Sequence, residues 1–193
     1  MKRAIIIHCW GGTPNYAWYP WAKTKLEAKG YEVAVPQMPH TDEPQLGEWL
    51  PTLQQVIGEP DDELLLTGHS LGTVTIMRYL ESLNDNQRIG KAIFVAGFTD
   101  QLGFKELENF FETRLNFAKI KPKSLHGFVA IQSDNDPFVS RQYGNRLKDE
   151  LDAKIIIKHD AGHMSGSADG EEACTELPEL AAAISKEQQQ NED

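Results

Sequence analysis

Leu64-Leu65-Leu66-Thr67-Gly68-His69-Ser70-Leu71-Gly72 carries an apolar run into a Gly-x-Ser-x-Gly pentapeptide, and a helix-like pattern leaves it. This is the signature of a nucleophile elbow, a strand-to-helix turn sharp enough to hold its serine in a strained backbone conformation with the hydroxyl exposed. The glycines two residues either side of Ser70 leave room where a side chain would clash with neighbouring backbone. The pentapeptide alone is a weak signal, and a strand before it with a helix after it makes a strong one. Leu71, Val74, Met77 and Leu80 fall at helical spacing, so Met77 reads as core and the helix as the anchor of the turn.

A serine hydroxyl is a poor nucleophile at neutral pH and needs an imidazole to take its proton and a carboxylate to orient that imidazole. In elbow-type sites these follow in the order Ser, Asp or Glu, His. Gly127-Phe128-Val129-Ala130-Ile131-Gln132 reads as a buried strand that runs into Ser133-Asp134-Asn135-Asp136-Pro137-Phe138-Val139. Asp136 is preferred as the acid because it lies deeper in the loop and Pro137 stiffens the turn, which leaves Asp134 as a loop-capping carboxylate. Ala153-Lys154-Ile155-Ile156-Ile157-Lys158 reads as the next strand and ends in His159-Asp160-Ala161-Gly162-His163. His163, after Gly162 in a turn, is preferred as the base; His159 is expected to point across the sheet. His69 has the wrong chain order for a base, and His8, His40 and His126 read as loop or strand-end residues. Three candidate groups thus leave three strands at one edge of a parallel sheet, where open α/β folds build their sites.

An acyl-transfer site also needs two donors for the oxyanion of the tetrahedral intermediate. The backbone N–H of Leu71, directly after the nucleophile, is one. The other is expected from the loop after Arg3-Ala4-Ile5-Ile6-Ile7-His8, with the backbone of Trp10 assigned and Cys9 as the alternative. Phe98, Phe104 and Phe138 are candidates for lining an acyl pocket. Of the aromatic cluster Trp10, Tyr16, Trp18, Tyr19 and Trp21, most should pack and anchor the loop, with one bordering the substrate.

The ordered set His8-Cys9-Trp10-Gly11-Gly12, Gly68-His69-Ser70-Leu71-Gly72, Ser133-Asp134-Asn135-Asp136-Pro137-Phe138-Val139 and Ala161-Gly162-His163, with Phe98-Thr99-Asp100, resembles the small α/β-hydrolases related to retinoblastoma-binding protein nine and the bacterial YdeN proteins. The resemblance implies a serine hydrolase with Ser70, Asp136 and His163 as its triad and no cofactor. His8-Cys9 stands where His-Gly is commoner in that family.

The expected architecture is a single-domain α/β-hydrolase fold over residues 1–187, with a polar tail, 188–193, that frays. Strands are expected near 3–8, 31–35, 63–67, 91–96, 127–132 and 153–158, in the order 2-1-3-4-5-6, with helices on both faces. β-branched and leucine-rich runs without polar alternation mark a parallel sheet covered on both sides. One helix holding Phe104, Leu107, Phe110, Phe111 and Leu115 is expected between the fourth and fifth strands, and another near 176–187.

A net charge of −10 over 193 residues argues against nucleic acid, whose phosphates need a basic stripe. Lys119, Lys121 and Lys123 read as a solvated loop. No apolar run approaches a membrane span and no signal-peptide pattern opens the chain, so cytoplasmic residence is the default expectation. Cys9 and Cys174 read as reduced thiols. Phosphate-loop, zinc-pair and dinucleotide motifs are absent from the sequence, so neither metal nor cofactor is expected. The leading reading is hydrolysis of a small ester, thioester or amide through an acyl-enzyme on Ser70, with a small-molecule acyl substrate and no protein partner indicated. A non-catalytic interaction or ligand-binding module on the same fold is the alternative.

Overall fold

Six short apolar segments pair side by side in parallel to form one sheet in the order β2-β1-β3-β4-β5-β6. They are β1 (Arg3–Ile7), β2 (Glu32–Ala34), β3 (Leu65–His69), β4 (Lys91–Val95), β5 (Phe128–Ser133) and β6 (Lys154–Lys158). The computed structural model describes residues 2–166 and 173–185. The expected tail, 188–193, and the last two positions of the helix expected over 176–187 lie outside the described residues.

Successive side chains of a strand point to opposite faces, and the apolar runs split accordingly. Ile5 and Ile7 of β1, Ala92 and Phe94 of β4 and Phe128 and Ala130 of β5 pack under α2 (Leu46–Ile57), α3 (Leu71–Ser82) and α5 (Gln142–Leu151). Ala4 and Ile6, Ile93 and Val95, and Val129 and Ile131 face α1 (Tyr19–Glu27) and α6 (Pro178–Ser185). This is the α/β-hydrolase arrangement, and it brings the carboxyl ends of β1, β3, β4, β5 and β6 to one edge.

Three local expectations need correction. β3 runs on through Gly68 and His69, pairing His69 with Val95, so the strand delivers the chain directly to Ser70. The region between β4 and β5 is not one helix: a 3-10 segment, Lys105–Phe110, precedes the single turn α4 (Phe117–Ile120). Phe104, Leu107 and Phe110 are spaced by three, which suits three residues per turn better than 3.6, and Leu107 and Phe110 are buried while Phe104 stays exposed. Lys123 is not solvated: it is buried and its Nζ donates to Asn84 O at 2.5 Å.

Candidate active site

Ser70 sits between β3 and α3 with φ 52° and ψ −116°, a conformation that non-glycine residues adopt only when their surroundings enforce it. The enforcement is visible. The Ser70 N–H donates to Val95 O at 2.9 Å, and Ser70 O accepts from Thr73 N at 2.9 Å and Thr73 Oγ1 at 2.7 Å. A Cβ on Gly68 would lie 2.6 Å from Thr73 N, and one on Gly72 would lie 2.3 Å from Ile7 O. The helix therefore packs against β1 at a separation only glycine permits.

The carboxylate of Asp136 is fully buried and receives Nδ1 of His163 at 2.8 and 3.0 Å. Its Oδ1 also accepts the backbone N–H groups of Phe138 and Val139, each at 2.9 Å, so the loop holds the acid rigidly. The three residues before it hold the loop that carries His163. Asp134 Oδ1 accepts Asp160 N at 3.0 Å, Ser133 Oγ accepts Ala161 N at 3.2 Å, and Asn135 Oδ1 accepts Gly162 N at 2.8 Å. Four consecutive side chains, beginning with the last residue of β5, thus receive donors from four consecutive residues after β6. His159 does not cross the sheet as expected; it is exposed and its Nδ1 lies 2.5 Å from Asp134 Oδ2. The Asp160 N–H and then His159 hold the Asp134 carboxyl below the usual carboxylate range.

Ser70 and His163 line a common cleft of about 310 Å³, a volume within the range of small-molecule sites. Trp10, Leu71, Phe98, Phe104 and Phe138 all border it. Phe138 sets its ring edge-on to His163 at 5.2 Å, and Trp10 meets Phe104 edge-on at 6.0 Å. No Lys, Arg, Asp or Glu is among the described lining residues. Of the aromatic cluster, Tyr16 as well as Trp10 faces the cleft, and so does Ser165, which was not singled out from sequence. Trp18 and Tyr19 are buried below it, fully excluded from solvent.

Among the described residues, the backbone N–H groups of Leu71 and Trp10 have no hydrogen-bond acceptor, whereas that of Cys9 donates to Tyr19 Oη at 3.1 Å. Cys9 is thus committed and Trp10 is available. His8 does more than an ordinary strand-end residue: it accepts Met38 N at Nε2, 3.0 Å, and places Nδ1 2.8 Å from Cys9 O. Burial holds its pKa below the ordinary value, so the ring is neutral and Nδ1 carries the proton. Among the described residues no group of three or more His, Cys, Asp or Glu side chains is placed to hold a metal ion, and no helix is long and apolar enough to cross a membrane.

A strained serine on a strand-to-helix turn, sharing a cleft with a histidine paired to a buried carboxylate at the carboxyl edge of this sheet, fits the α/β-hydrolase fold. The chain belongs to the Serine hydrolase family, whose model matches residues 4–182. It is 30% identical over 164 residues to YdeN of Bacillus subtilis (strain 168), covering 84% of this chain and 86% of that protein. It is 27% identical over 170 residues to Serine hydrolase RBBP9 of Rattus norvegicus, with 86% and 88% covered. The crystal structure of the B. subtilis ydeN gene product superimposes with a TM-score of 0.88 over 96% of this chain and 98% of that one, at 28% identity. Est1E from Butyrivibrio proteoclasticus, in its complex with ferulic acid, shares the fold at a TM-score of 0.73 and 14% identity, covering 98% and 89%.

Proposed function

We propose that this protein hydrolyses small uncharged carboxylic esters, thioesters or amides through an acyl-enzyme on Ser70. The observation that carries the reading is the His163–Asp136 pair at 2.8 Å, on the same cleft as a serine in an elbow conformation. Membership of the Serine hydrolase family supports it.

In this mechanism Ser70 Oγ attacks the substrate carbonyl carbon while Nε2 of His163 takes the hydroxyl proton. The Nδ1–H donates to Asp136 throughout, which fixes the tautomer and stabilises the imidazolium that forms. The oxyanion receives the N–H groups of Leu71 and Trp10, the first at the positive end of α3. Nε2–H then protonates the leaving oxygen, sulfur or nitrogen as the acyl bond breaks. Water repeats the sequence on the acyl-enzyme and releases the acid. A cleft walled by aromatic and aliphatic side chains, with no charged group among the described lining residues, favours an uncharged acyl chain, since an ion there would lose hydration without a partner.

A fluorophosphonate probe tests this directly. Labelling and p-nitrophenyl ester turnover are expected in the protein and in Ser82→Ala, a change at an exposed serine far along α3, and lost in folded Ser70→Ala. A folded protein that takes no probe and turns over no activated acyl substrate overturns the reading in favour of a non-catalytic binding module.

A further inference from the structure

Beneath the cleft runs a chain of buried polar contacts that the mechanism above does not use. Cys9 N lies 3.1 Å from Tyr19 Oη, Tyr19 Oη lies 2.7 Å from His69 Nδ1, and His69 Nε2 lies 2.9 Å from the main-chain oxygen of His163. Tyr19 and His69 are completely excluded from solvent. Their rings pack edge to face, 5.8 Å apart, and the His69 ring lies 5.2 Å from that of His163.

The proton positions along this chain are forced. A carbonyl oxygen can only accept, so His69 Nε2 must carry a proton toward His163 O. Burial, with the neighbouring His163 second, lowers the His69 pKa to about 3, so the ring is neutral and Nδ1 has only a lone pair to offer. The Tyr19 hydroxyl must then donate to Nδ1. Burial, with Cys9 beside it, pushes the Tyr19 phenol well above its ordinary range, so that proton stays on the oxygen. Its lone pair accepts the Cys9 N–H. Every group in the chain is satisfied in one direction only.

We infer that Tyr19 and His69 are positioning residues that hold the oxyanion loop and the His163 loop in register with each other. At one end the chain occupies the Cys9 amide. His8 Nδ1–H and Gly12 N fix the Cys9 carbonyl at 2.8 and 3.0 Å, and a planar trans peptide then directs the following N–H, that of Trp10, the opposite way. Tyr19 and His8 together select Trp10 over Cys9 as the free donor of the loop. At the other end His69 fixes the main chain of the base while Asp136 fixes its side chain. His69 sits on the rigid end of β3, next to Ser70, so the nucleophile, the base and the oxyanion loop are referred to one strand terminus. A displacement of about 1 Å in a reacting group costs on the order of 100-fold in rate, which is the scale on which such a chain acts.

The inference rests on the acyl-enzyme reading, and the experiment separates the two. Tyr19→Phe, His69→Gln and His69→Leu are assayed with p-nitrophenyl acetate, with rates divided by sites titrated with fluorophosphonate run to completion. A merely structural role lowers the number of titrated sites and leaves turnover per site unchanged. Positioning instead predicts that Tyr19→Phe loses about 10- to 100-fold in kcat per titrated site with KM within about threefold. His69→Leu loses at least as much, and His69→Gln recovers part of it, because the glutamine amide can still donate toward His163 O. Should these variants fail to fold, nitrogen NMR of the histidine rings in the intact protein decides. His69 is expected as a neutral Nε2–H tautomer that does not titrate between pH 8 and roughly 5. Variants that keep full turnover per site, or a His69 that titrates near its ordinary value, overturn this inference alone. A wild-type protein that neither labels nor turns over ester overturns the acyl-enzyme reading and this inference with it.

Discussion

Replacing Asp136 with asparagine separates charge and tautomer from shape. Asparagine has nearly the same volume, and its Oδ1 can keep the two 2.9 Å bonds from Phe138 N and Val139 N. Its Nδ2 then faces His163 Nδ1, donor against donor, at a position now separated by 2.8 Å. The pair resolves this by moving the imidazole proton to Nε2, where it points at the nucleophile and the ring can no longer take the serine proton. In serine hydrolysis a change of this kind costs about 10⁴-fold in kcat, equivalent to about 5 kcal/mol of transition-state stabilisation. Folding loses one charge-assisted bond, about 1.5–3 kcal/mol, so the thermal midpoint falls by several degrees and the protein remains folded at the assay temperature. The assay is p-nitrophenyl acetate hydrolysis per titrated site, beside Asp134→Asn, whose carboxylate meets His159 and the Asp160 N–H and which should stay within about threefold of wild type. Activity of Asp136→Asn within tenfold of wild type, or equal losses in both variants, refutes the assignment.

Gly72→Ala should destabilise the protein by about 3 kcal/mol, the upper part of the overpacking range, because its Cβ meets Ile7 O at 2.3 Å and His8 O at 2.9 Å. Gly47→Ala, in α2 with nothing within 4 Å, should gain about 0.5–1 kcal/mol, and urea midpoints of the two variants make the comparison. Acid should weaken the fold through His69: with its folded pKa at about 3 and an unfolded value near 6.5, the unfolded chain binds the extra proton between those limits. That contribution is fully present above about pH 6.5 and is lost as pH falls toward 3, amounting to about 5 kcal/mol at most, and buried His8 acts with the same sign. Stability measured by urea at pH 6.5 and 4.5 should fall more in wild type than in His69→Gln, and equal slopes would contradict the assignment.

The parts of the site legible in the sequence are those carried by local pattern. Gly68 and Gly72 mark the elbow because the clash they avoid depends on backbone two residues away, and the apolar runs mark strands because burial on both faces leaves no alternation to read. Asp136 and His163, which pair at 2.8 Å, could be proposed together from sequence because each follows a strand at a loop depth that chemistry favours. Contacts between loops left no such trace. The registry of Ser133, Asp134, Asn135 and Asp136 with residues 160–163 exists only once β5 and β6 lie side by side. Tyr19 meets His69 across 50 residues of chain, and nothing in the spacing of either announces it. His159 reads as a sheet residue by position, yet an exposed partner at Asp134 draws it outward. The 3-10 segment over Lys105–Phe110 was missed for a smaller reason: apolar residues at intervals of three also lie near one face of an α-helix.

The identity of the residue before the nucleophile has an electrostatic side. A second histidine with its ring 5.2 Å from that of His163 is a hazard for the proposed mechanism, which creates an imidazolium there. Were His69 charged, repulsion at that distance would be about 3 kcal/mol at an effective dielectric constant of 20, enough to slow proton abstraction more than 100-fold. Complete burial removes the hazard, since it holds His69 neutral down to about pH 3. The same burial makes its Nε2–H a fixed donor to the His163 main chain. In the proposed mechanism a histidine is tolerated beside Ser70 because the fold denies it a proton, and the lone pair left at Nδ1 is what the Tyr19 hydroxyl requires.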